Sequence, residues 1–135
     1  MSESHRQIQD YMKAHHEASE LEAETAILGF SHSQLGRQLA KTWKLPERLA
    51  DSIGYHHHPD LPNESGNYAF LINLADYVAH QTYPPPKKSG PGRHIQSPSG
   101  LDFFGIDDSV IEEMGQQLNE EYAKAKTFMK IAGIG

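Results

Sequence analysis

ETAILGFSHSQLGRQLAKTWKLPERLADSIGYHHHP, residues 24–59, is the stretch from which the fold of this chain is read. Ser31 and Gln34 have capping-box spacing, in which each side chain satisfies a free backbone amide of the first turn, so a helix opens there with His32 in that turn. Leu35 and Leu39 supply an apolar stripe, and Gly36, costly inside a helix, marks the close approach of a neighbouring element. This helix is expected to run to about Trp43. Pro46 has the fixed φ and missing N–H that suit a helix start, with Leu45 ahead of it as a staple residue. Leu49 and Ile53 recur four residues apart, and His56 and His57 follow Ile53 at i+3 and i+4, so both imidazoles extend the buried face at the helix end. Pro59, Asp60, Pro62, Asn63 and Gly66 then force a loop.

Working outward, residues 2–24 contain good helix formers but few apolar side chains, chiefly Ile8, Tyr11, Met12 and Leu21, which predicts a helix with a thin buried face. His15 and His16 are neighbours in sequence, about 100° apart on a helix, and read as solvated surface rather than a ligand pair. A helix is predicted from about Asn67 to Gln81, with Phe70, Leu71, Leu74, Ala75 and Val78 on its apolar side and Asp76 among them. Residues 82–100 are rich in proline and glycine, carry Lys87, Lys88 and Arg93 without an acid, and are expected to form a mobile basic loop. Phe103, Phe104 and Ile106 should return the chain to the core before Asp107, Asp108 or Ser109 caps a long amphipathic helix with Ile111, Met114, Leu118, Tyr122, Ala125 and Phe128 on one face. No strand alternation is visible. The expectation is one all-α bundle of about four or five helices.

Composition narrows the function. With 135 residues and 15.1 kDa the chain has room for one ordinary core, and 37% hydrophobic residues with a mean hydropathy of -0.64 make that core modest. A net charge of -6 and a pI of about 5.8 argue against binding driven by nucleic-acid phosphates. The chain has no cysteine, so any metal must be held by His, carboxylate or water. No apolar run is long enough for a membrane span and no signal-peptide layout opens the chain, which points to a cytoplasmic protein.

Four residues stand out together: His32 at a helix start, His56 and His57 at a helix end, and Asp76 within an apolar helix side. Imidazole nitrogens and a carboxylate oxygen suit Fe, Mn or Zn, and packed helices can bring such groups to one centre. Each residue also has an ordinary structural explanation. A helix-terminal His bonds free carbonyls, and Asp76 has His80 four residues on as an ion-pair partner.

The run quoted above, followed by INLADYVAH at residues 72–80, resembles the second half of the HDOD domain, an HD-related output domain akin to the HD and HD-GYP phosphohydrolases. The features that carry the resemblance are a Glu, then Leu-Gly, a His followed four residues later by Gly, a Trp before Leu-Pro, a His-His pair before Pro, and Leu-Ala-Asp. The resemblance implies that His32, His56, His57 and Asp76 stand at positions that are metal ligands in HD-GYP-like relatives, where two metals activate water for phosphoester hydrolysis. It also implies a departure: the chain contains no His-Asp dipeptide, and the upstream helices that would supply half the ligands are missing, as if the domain were truncated at its N-terminus. A regulatory module of bacterial-type signalling is therefore expected ahead of a hydrolase. It would act through a protein partner, a homodimer or a small ligand, with at most one weakly held metal and no role at a membrane or on nucleic acid.

Overall fold

The computed structural model describes residues 2–83 and 99–134, and its secondary-structure elements in these are all α-helices. In chain order the helices are α1 (Glu3–Ala14), α2 (Glu20–Leu28), α3 (His32–Thr42), α4 (Glu47–Tyr55), α5 (Tyr68–Thr82), α6 (Ser99–Phe104) and α7 (Asp108–Ile131). The all-α expectation holds, with seven helices among the described residues rather than four or five. One of the additional helices comes from the opening stretch, which is two helices, not one. α1 stops at the cap residue His15, and Ser19 and Glu22 form a second capping box, the Ser19 hydroxyl accepting from the Glu22 N–H while the Glu22 carboxylate takes the Ser19 N–H. Another comes from the segment expected to plug the core. It forms the short α6, which buries Gly100 and Leu101 and leaves Phe103 and Phe104 partly in water. Most of the predicted 82–100 loop, with Lys87, Lys88 and Arg93, lies outside the described residues; of its ends, Thr82 closes α5 and Ser99 and Gly100 belong to α6.

α3 packs on α4, α4 on α5, and α5 on both α6 and α7, while α1 packs on α2. Leu74, Val78, Leu101 and Ile111 form the core, with Tyr77, Ile106, Met114 and Leu118 against it. The α3–α4 contact differs from the apolar stripe expected of it. Leu35, Leu39 and Leu49 are exposed, and the side of α3 that meets α4 carries Ser33, Gly36 and Ala40. A methyl group added at Gly36 would stand 2.7 Å from Ile53 Cγ2, so the two helices approach closely because that position has no side chain.

Polar groups then tie this pair to the loop that follows. The buried Asp51 carboxylate accepts from Arg37 Nε at 2.7 Å and from the Glu64 N–H at 2.8 Å, and Arg37 also reaches Glu47 at 3.2 Å. Burial works to raise the Asp51 pKa, but the Glu64 amide and the Arg37 guanidinium outweigh it and hold the carboxyl below the usual aspartate value. Asn73 of α5 donates to the His56 carbonyl at 2.8 Å and accepts from the Gly100 N–H at 3.0 Å, joining α4, α5 and α6 at one residue. The result is a fixed platform at the end of α4, where two of the candidate histidines stand.

Candidate metal centre

The chain turns out of α2 at Gly29, whose φ of 83° is the left-handed conformation that glycine adopts without strain, and enters α3 through the Ser31–Gln34 box. That short turn sets His32 beside the last turn of α4. His56 is the residue that ends α4 and His57 follows it. The three imidazoles meet. Their ring centroids are 5.7 Å apart for His32 and His56, 4.9 Å for His32 and His57, and 4.0 Å for His56 and His57. One ligand atom from each lies within 4.8 Å of the other two.

Hydrogen bonding settles which nitrogens are available. His32 Nδ1 lies 3.0 and 2.9 Å from the two oxygens of Glu24, and a carboxylate only accepts, so Nδ1 carries the proton and Nε2 keeps its lone pair. His56 Nδ1 lies 2.6 Å from the Ile53 carbonyl oxygen, with the same consequence for its Nε2. With the His32 proton on Nδ1, His57 Nε2–H donates to the His32 Nε2 lone pair at 2.9 Å, so an ion held by both nitrogens would take the place of that proton. Two nitrogens about 2.1 Å from one ion would be about 3 Å apart at octahedral angles and about 3.4 Å apart at tetrahedral ones, so this pair is near the spacing of adjacent ligands. Burial, with the neighbouring His56 and His32, pushes the His57 pKa down to about 4, which leaves its ring neutral near pH 7 as a ligand must be. The donor set therefore fits a nitrogen-bound divalent transition metal.

Asp76 is placed differently. It is not part of the cluster; its carboxylate lies 3.2 Å from His80 Nδ1, the i,i+4 pairing, and is about two-fifths exposed. Its negative charge nonetheless acts on His57, opposing the fall in that residue's pKa. Three of the four residues singled out from sequence thus come together, and the fourth stands apart from them.

Two residues matter here that sequence reasoning leaves without a role. Glu24, on α2, accepts from the His32 backbone N–H at 2.8 Å as well as from its ring, with a side chain only 12% exposed. It plays the part of an outer carboxylate that sets the tautomer and direction of a ligand imidazole. The only signal for it was its place in the quoted run, eight residues before His32, since nothing about a single Glu on a helix predicts its partner. Asn73 left no sequence signal at all.

Residues 1–59 match the family model of the HDOD domain. That span includes Glu24, His32, His56 and His57 and ends before Asp76. No curated protein and no solved structure matches the chain.

Proposed function

On the match of residues 1–59 to the HDOD-domain family model, we propose that this chain is a regulatory module of signalling that works by binding a protein or small ligand and does not turn over a phosphoester. The observation that carries this reading is the ligand set. Three histidines converge, and among the described residues no carboxylate joins their cluster. A binuclear phosphohydrolase needs an acidic ligand shared between its metals, and the sequence contains no His-Asp pair to supply one.

His32, His56 and His57 would hold a single Fe, Mn or Zn ion, with Glu24 behind His32. Bound there, the ion would cross-link the start of α3 to the end of α4. A protein partner is supported by the outer side of these helices, where Leu35, Leu39, Trp43, Leu45 and Leu49 are all exposed, Trp43 at 70%. A large aromatic side chain presented in this way is the kind of anchor on which interfaces concentrate their binding energy. No helix among the described residues is long and apolar enough to cross a membrane, in keeping with a partner that is not the bilayer interior.

The alternative, a metal-dependent phosphohydrolase, draws on Asp76, whose charge already reaches His57. One experiment separates the two. The protein is loaded with Mn, Fe or Zn, dialysed, analysed for metal and assayed against a chromogenic phosphodiester. We expect at most one equivalent per chain, lost on mild acidification, and no turnover above free metal. Two retained equivalents with turnover abolished by His57→Ala would establish the hydrolase. Glu24→Gln should weaken binding of the single ion by about 10- to 100-fold.

A further inference from the structure

α7 is about 36 Å long, and the protein body covers only its beginning. Ile111, Met114 and Leu118 pack on the core, and the end of α5 runs alongside: a methyl group at Gly115 would meet Thr82 Oγ1 at 2.9 Å, and the Tyr83 and Tyr122 rings are 5.3 Å apart. From Asn119 to Ile134 every residue is exposed. The apolar stripe does not stop where the cover stops. Tyr122, Ala125, Phe128, Met129 and Ala132 continue the same side of the helix at three- and four-residue spacing. A free helical segment of this length is marginal in water, and here it has little internal support beyond the Glu121–Lys124 ion pair and Lys126 over the Tyr122 ring.

We propose that the far half of α7 is a self-association surface, on which a second copy of the chain lays its own α7 in antiparallel orientation. The charges select this occupant. Every acid of α7 (Asp108, Glu112, Glu113, Glu120, Glu121) precedes Tyr122, and every base (Lys124, Lys126, Lys130) follows it. Such a helix is complementary to itself only when reversed. An axis at Ala125, whose small side chain permits close approach, sets Tyr122 opposite Phe128 of the second copy and brings Glu120 and Glu121 near the level of Lys130, with Lys124 level with Lys126. The helix dipoles then also oppose.

The test uses the full chain, which has no native cysteine to interfere. Sedimentation between about 1 and 200 µM should show a monomer–dimer equilibrium. Phe128→Glu should weaken it at least tenfold, whereas Trp43→Glu, on the exposed patch of α3 and α4, should leave it unchanged. Under mild oxidation Ala125→Cys should form a disulfide dimer and Ala132→Cys should not, because the reversed pairing sets residue 132 opposite Leu118. A monomer throughout that range would overturn the proposal, placing either the 84–98 segment or a different protein on this face. A dimer broken by Trp43→Glu and untouched by Phe128→Glu would move the interface elsewhere, and cross-linking at residue 132 as readily as at 125 would make the pairing parallel.

Discussion

The α3–α4 pair and the far half of α7 are equally helical in their sequence pattern, yet they are held in place by opposite means. α3 and α4 bury small side chains, turn their leucines outward and are fastened by the Arg37–Asp51–Glu64 and Asn73 hydrogen bonds. The far half of α7 points a continuous apolar stripe into solvent and, among the described residues, is tied to the rest of the chain by the Tyr83–Tyr122 ring contact at its start. An apolar stripe therefore marks a helix but not what covers it, and a buried helix contact need not be apolar. Substitutions in the first region should be costly and those on the exposed surface of the second nearly silent for folding.

The largest effect is expected at Asp51. Asp51→Ala leaves the Glu64 N–H and the partly buried Arg37 guanidinium without their acceptor, at a cost of about 2–4 kcal/mol in urea unfolding. The same carboxylate should show in the acid limb. Its pKa is lowered on folding, so its stabilisation is complete above the unfolded value near 3.9 and is lost as pH falls through the folded value. A loss below about 0.5 kcal/mol for the variant would mean the two regions do not differ as described. Gly36→Ala comes next: despite the better helix propensity of alanine, its methyl group must push Ile53 aside, and a net loss of about 1–2 kcal/mol is expected from the same unfolding curves.

His57 sharpens the comparison through pH. Its folded pKa of about 4 lies below the ordinary histidine value of 6.5, so the neutral ring favours the fold. That contribution is present above pH 6.5 and drains away between 6.5 and 4. Thermal midpoints should fall across this window in the parent protein and fall less steeply in His57→Gln; parallel curves would show that His57 is not the group being read.

Lys44 is expected to move stability the other way. It sits at φ 58° just after Trp43, the cap residue of α3, in the left-handed region that glycine occupies more easily. Lys44→Gly should raise stability by about 0.5–1 kcal/mol. The smallest effect belongs to α7. Glu121→Gln breaks only an exposed i,i+3 ion pair and should leave the unfolding midpoint within error.

Much of the candidate site could be read from the chain, because its residues lie at helix ends and helix ends carry local signals. The Ser31–Gln34 box put His32 in a first turn, and the period from Leu49 through Ile53 carried His56 and His57 to the end of α4. Asp76 was harder. Its position inside an apolar helix side is equally consistent with facing the histidines or pairing with His80, and the structure pairs it with His80.

The sequence by itself determined where helices begin and end. Capping boxes, the Asp107 cap of α7, and the proline and glycine breakers act within a few residues, so their outcome depends little on the rest of the molecule. Even the division of the opening stretch into α1 and α2 was written in Ser19 and Glu22. Only the tertiary structure decided which faces are covered and which nitrogens are free. Close packing through Gly36 and Ala40 turned Leu35 and Leu39 outward, against the rule that the apolar stripe is buried. The tautomer of His32 was set by Glu24, eight residues away on another helix. The direction of a side chain at a site depends on the acceptor it finds across space, and no spacing along the chain encodes that partner.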